Sequence, residues 1–122
     1  MNTIKLTQIQ IETIYNLEFT EAFWLFQLGY LTSGEDSAHS KAFMYRFDEK
    51  GKEVWDDFKN KLKDLICDKE SKTLKDEFIG DEANVAEVVV TLIASTYSIE
   101  SAIAIALFSM CVRKGLAKFC SI

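Results

Sequence analysis

At 122 residues, 48% of them apolar and 12% aromatic, the chain is long enough for one domain with a real core and too apolar for a disordered segment. Its 19 acids against 14 bases leave a formal net charge of −5, which disfavours nonspecific attraction to nucleic acid or anionic lipid. Met1-Asn2-Thr3-Ile4 lacks the pattern of a signal peptide, and Cys67, Cys111 and Cys120 read as reduced thiols, so a cytoplasmic protein is expected.

Taken in order, Thr7 and Gln10 form a capping box that opens a helix over about Gln8–Asn16, with Ile11, Ile14 and Tyr15 on one face. Thr20 caps a second helix holding Ala22, Phe23, Trp24, Leu25, Phe26 and Leu28. Thr32 to Ser40 is a polar loop. Phe43, Tyr45 and Phe47 then alternate with Met44 and Arg46, the period of a strand, and Asp48-Glu49-Lys50-Gly51 reads as a turn. Trp55, Phe58, Leu62, Leu65 and Ile66 recur at helical spacing, with Asp56, Asp57, Lys59, Lys61, Lys63 and Asp64 facing outward. That spacing predicts an amphipathic helix over about Glu53–Cys67. Residues 68–80 alternate in charge and form a connector docked by Leu74, Phe78 and Ile79.

The stretch Val85–Val112 carries charge only at Glu87 and Glu100. Two helices fit it, the first capped by Asp81 after Gly80. The valines of residues 85–93 leave a strand open as the alternative. Ser98 is placed to cap the second helix, which runs from Ile99 to about Arg113. Arg113 and Lys114 suit its negative end and Gly115 its C′ position. Leu116 and Phe119 suggest one last turn against the core. The uncharged runs Val88–Ile99 and Ser101–Val112 fall well short of the about 20 apolar residues a spanning helix needs. A core or an interface, not lipid, is their expected place.

The order helix, turn, helix, LGYL, polar loop, FMYRF, DEKGKEVW and amphipathic helix resembles a winged helix-turn-helix. Regulators of the MarR and PadR kind carry a similar series, matched here over residues 6–66 by Gly29, Tyr30, Leu31, Tyr45, Arg46, Phe47, Glu49, Lys50 and Gly51. The resemblance implies a winged-helix-like first half; with the apolar C-terminal helical pair read above, the expected fold is mainly α with one small β-hairpin. The second helix of such a domain reads bases in the major groove. Thr20 to Gln27 offers Glu21, three aromatics and Gln27 instead, and residues 1–33 hold a single base, Lys5. The wing loop offers Glu35, Asp36, His39 and Lys41. A DNA-reading surface is therefore not expected.

No catalytic motif stands out. His39 is the only histidine, and Glu35, Asp36 and His39 read as a polar loop, not a cation site. The cysteines lack the CxxC spacing of a structural zinc. Neither metal nor cofactor is expected, and the chain reads as non-enzymatic. Glu87 and Glu100, acids within apolar helices, must find water, a base or a hydrogen bond.

The expectation is one domain: residues 1–67, the connector 68–80, and the apolar pair 81–122. Its role is that of a protein-binding module, an adaptor, antitoxin, immunity protein or other inhibitor whose acidic balance suits a basic partner. Phe23, Trp24 and Phe26 are the candidate contact residues. Ala102, Ala106 and Ser109, small enough for close approach, are the candidate homodimer seam. A DNA-binding regulator dimerising through its last two helices is the alternative, and a membrane-active helical hairpin the second.

Overall fold

The computed structural model describes residues 3–33, 44–67 and 82–115, and these form five helices. They are α1 (Gln8–Tyr15), α2 (Glu21–Thr32), α3 (Met44–Ile66), α4 (Glu82–Tyr97) and α5 (Ser101–Lys114). No strand occurs among the described residues. The expected β-hairpin, and with it the winged-helix-like half, is corrected to an all-helical arrangement. Gly29, Tyr30 and Leu31 lie in α2, and Tyr45, Arg46, Phe47, Glu49, Lys50 and Gly51 all lie within α3. Asp81, Leu116, Phe119, Phe43, Cys120, the connector and the loop residues Glu35, Asp36 and His39 lie outside the described residues.

The hairpin gives way to α3 because the apolar stripe does not stop at Trp55. It runs back through Val54 and Gly51 to Phe47, all buried, at spacings of three and four. Leu62 and Ile66 continue it, both fully buried, while Lys61 and Asp64 are exposed. Gly51 is not a turn residue. It lets α3 lie against α2, where a Cβ at Gly51 would stand 1.7 Å from the Leu25 carbonyl oxygen. Gly29 on α2 does the same for the Phe47 carbonyl oxygen, at 1.9 Å. The rings of Phe26 and Tyr30 close over this crossing, each edge-to-face with Phe47 at 5.4 and 5.6 Å.

The apolar stretch forms two helices, as its pattern suggests, and the strand alternative for residues 85–93 is set aside. Val85, Ala86, Val89, Val90 and Ile93 share one buried face of α4. In α5 every residue from Ala104 to Cys111 is buried, because α1, α2 and α4 all pack around it. Each fully buried Leu107, Phe108 or Met110 side chain contributes about 1.5–3 kcal/mol. None of the described helices is long and apolar enough to cross a membrane.

Between α4 and α5 the chain turns at Ser98, which does not cap α5. It adopts φ 53°, the left-handed region, and the Ile99 N–H donates to the Ala94 carbonyl at 3.1 Å. That bond closes a Schellman-type end to α4. Glu100 is the N-cap instead, without a side-chain capping bond. A serine at this φ is strained relative to glycine. Ser98→Gly is therefore expected to raise stability by about 0.5–1 kcal/mol, read as a higher urea midpoint at unchanged slope.

Glu87 finds its hydrogen bond. Residues before α1 run along α4, where the Ile4 N–H donates to Thr91 Oγ1 at 2.8 Å and the Leu6 N–H to Glu87 Oε2 at 3.1 Å. The same strap leads into the capping box, with Thr7 N–H on Gln10 Oε1 and Gln10 N–H on Thr7 Oγ1.

The cysteines divide. Cys67 is disulfide-bonded, which corrects the expectation of three reduced thiols, while Cys111 is a free, fully buried thiol. Burial holds the Cys111 thiol far above its ordinary pKa, so it keeps its proton when the unfolded chain has lost it. Folding then binds the extra proton, and stability is lost as pH rises above the unfolded pKa near 8.5. The expected slope between about pH 9 and 10 approaches 1.4 kcal/mol per pH unit. In Cys111→Ala this contribution should vanish; an unchanged slope in urea titrations would show that the thiol is not its source.

Candidate functional site

α1 and α2 form a helical hairpin laid along α5, α1 parallel to it and α2 antiparallel. At the closed end of the hairpin, Lys114 pairs with Glu21 at 3.1 Å. At the open end α1 and α2 part, and a cleft of about 240 Å³ lies between them and the start of α5. Ile9, Gln10 and Thr13 line it from α1, Trp24, Gln27 and Leu31 from α2, and Ala102 and Ile105 from α5. Ile9 at its edge is 75% exposed, the most exposed large apolar side chain among the described residues.

No charged side chain lines this cleft, and its polar atoms are few. The Thr13 hydroxyl is spent on the Ile9 carbonyl at 2.7 Å. Gln10 accepts from Thr7 through its oxygen, so only its NH2 points to other work. The Gln27 amide makes no hydrogen bond among the described residues. Trp24 is 5% exposed, and its indole N–H is buried without a partner. Leaving such a group unpaired costs about 1–3 kcal/mol, which makes Trp24 unusual in this core.

Trp24 is fixed from the closed end by Arg113, whose guanidinium carbon stands 5.4 Å from the centre of its ring. Phe23 meets the indole edge-on at 5.0 Å. Arg113 itself does more than suit the negative end of α5. Its Nε donates to Phe19 O at 2.6 Å, Nη1 to Ser109 O at 3.1 Å and to Ile14 O, and Nη2 to Asn16 O at 2.7 Å and Thr13 O at 3.3 Å. A guanidinium has five N–H donors, and all five meet backbone carbonyls. Three of those carbonyls end α1, which has no base in its own last turn. Desolvation pulls the Arg113 pKa down from its ordinary value, yet it makes no ion pair among the described residues. Sequence reading missed this role because four of the five partners lie 94 to 100 residues away.

Of the candidate residues, Trp24 and Ala102 come together in the cleft. Phe23 and Phe26 flank it on α2, both half-buried, and Phe26 turns toward the α3 crossing. Ala106 and Ser109 are fully buried by the chain's own helices, and the Ser109 hydroxyl donates to Ile105 O at 2.7 Å. They are small because neighbouring helices pack on them, so they offer no seam to a second copy in this arrangement. The lining residues that sequence reading missed are Ile9, Gln10, Thr13, Gln27, Leu31 and Ile105. Ile9 carried the one available signal, an isoleucine off the Ile11–Ile14–Tyr15 face.

Among the described residues no group of three or more His, Cys, Asp or Glu could hold a metal ion. Against protein-family models, curated proteins and solved structures, the chain finds no match.

Proposed function

We propose that the chain is a non-enzymatic protein-binding module, of the adaptor, antitoxin, immunity-protein or inhibitor type, that engages another protein through the cleft at the open end of the α1–α2 hairpin. The observation that carries the reading is the cleft itself: an apolar recess with no charged lining residue, whose edge exposes Ile9 at 75%. Recesses of this composition anchor the large side chains that dominate protein interfaces. The net charge of −5 favours a partner with a basic surface.

A photo-crosslinking amino acid at position 9 tests this against the same group at Lys52, an exposed α3 residue. Position 9 should give discrete adducts in an extract of the native host, and position 52 should not. Ala102→Arg, which fills the cleft from an exposed site on α5, should abolish the adducts without lowering the melting temperature. Equal labelling at positions 9 and 52, or adducts indifferent to Ala102→Arg, would overturn the reading.

A further inference from the structure

We infer that α4 carries a docking seat for an extended peptide segment with apolar residues at alternate positions, and that residues 3–6 of this chain are its displaceable resident. The seat is separate from the cleft, which α4 does not line. Its chemistry is defined by the segment that fills it. Ile4 and Leu6 are half-buried and pack on the core, while Thr3 and Lys5 are exposed, the period of an extended chain. The N–H groups that reach α4 are those of the same two residues, Ile4 on Thr91 Oγ1 at 2.8 Å and Leu6 on Glu87 Oε2 at 3.1 Å. Spacing explains the fit. Residues four apart on a helix are separated by about 6 Å along its axis, and alternate residues of an extended chain advance by about 6.6 Å. One turn of α4 thus offers two acceptors in step with alternate N–H groups, and the segment runs antiparallel to the helix. Only backbone donors and two apolar side chains are used, so the seat fits other segments of this pattern.

The acceptors are held ready by α4 itself. The Thr91 hydroxyl donates to Glu87 O at 2.6 Å, which turns its lone pairs outward. Glu87 is paired with no base among the described residues, so its carboxylate gains a charge-assisted bond from the N–H it meets. The resident is held lightly. Among the described residues no backbone–backbone bond ties residues 3–6 to a helix, and neither apolar side chain is fully buried. Ordering four residues costs conformational entropy that offsets much of what these few contacts return. The helices do not depend on the segment. Thr7 closes the first turn of α1 through its own capping box with Gln10, and Arg113 holds the other end of α1. Residues 3–6 can therefore lift from α4 just before Thr7 with the helical core intact. A segment of the same pattern from a partner protein then takes their place.

The probe is N-acetyl-Thr-Ile-Lys-Leu-Thr-amide, which repeats residues 3–7, read by NMR at the Val88 and Thr91 methyl groups. The tethered resident competes at a millimolar effective concentration. Ile4→Ser/Leu6→Ser, which loosens it, should therefore bind the peptide at least about tenfold more tightly than the unaltered chain. The same peptide N-methylated at Ile and Leu lacks both donors and should bind the variant about tenfold more weakly. In the unaltered chain, the Ile4 and Leu6 amides should exchange with solvent at least about a hundredfold faster than those of Leu107 and Phe108, with little dependence on urea. Equal affinity for the N-methylated peptide overturns the two-bond seat. No shift at Val88 and Thr91, or shifts confined to Ile9 and Ala102 in the cleft, overturns the docking site. Exchange of Ile4 and Leu6 at the core rate overturns displacement of the resident, and decides it even if the serine variant does not fold.

Discussion

Arg113→Met is expected to lower stability by about 3 kcal/mol, a large share of the about 5–15 kcal/mol that holds a domain of this size. In a thermal melt that corresponds to a fall of roughly 10 °C. Methionine keeps the length and the apolar stem but removes every donor, so the carbonyls of Ile14, Phe19 and Ser109 lose a charge-assisted partner within a half-buried site. Arg113→Lys separates charge from geometry. An ammonium keeps the favourable charge at the end of α5 but cannot form the planar fork that reaches α1, the α1–α2 link and α5 together. It should recover less than half of the loss. Full recovery by lysine would mean that only the helix-end charge matters, and an unchanged melt for methionine would mean that the five bonds contribute nothing. Because no carboxylate partners Arg113 among the described residues, the loss should change little with salt.

What the sequence disclosed was local. Thr7 with Gln10, Thr20, the stripe from Trp55 to Ile66 and the Arg113–Lys114–Gly115 end were all readable, because a cap or a helical face is decided within a few residues. Glycine was not readable in this way. A glycine after Asp-Glu-Lys has the composition of a turn, and the alternation of Phe43, Tyr45 and Phe47 has the period of a strand. The deciding term is the α2 backbone lying opposite, which no window of α3 contains. The small residues of α5 failed for a related reason. Ala106 and Ser109 marked close backbone approach correctly, but the approaching backbones belong to the same chain. The cleft was half legible: Trp24 and Ala102 were nominated for their type, while the α1 wall depended on how the hairpin lies across α5.

Gly51→Ala is expected to cost about 3 kcal/mol or more, with the opposite sign to an ordinary helix interior. Glycine to alanine on an exposed helix gains about 1 kcal/mol in propensity. Here the new methyl would stand 1.7 Å from the Leu25 carbonyl oxygen, a backbone atom that cannot rotate aside. α2 and α3 would have to separate by more than an ångström, loosening the Phe26–Phe47 and Tyr30–Phe47 pairs and opening voids beside Phe47, which is 4% exposed. Gly29→Ala meets the Phe47 carbonyl oxygen at 1.9 Å and should cost a similar amount. The double variant carries the sharper test. Once the helices have moved apart for one methyl, the second finds space already made, so the two losses should fall short of additive by about 1 kcal/mol or more. Strict additivity in urea unfolding would mean that the two contacts yield independently, and a stabilised Gly51→Ala would mean that α3 does not lie against α2 at this point.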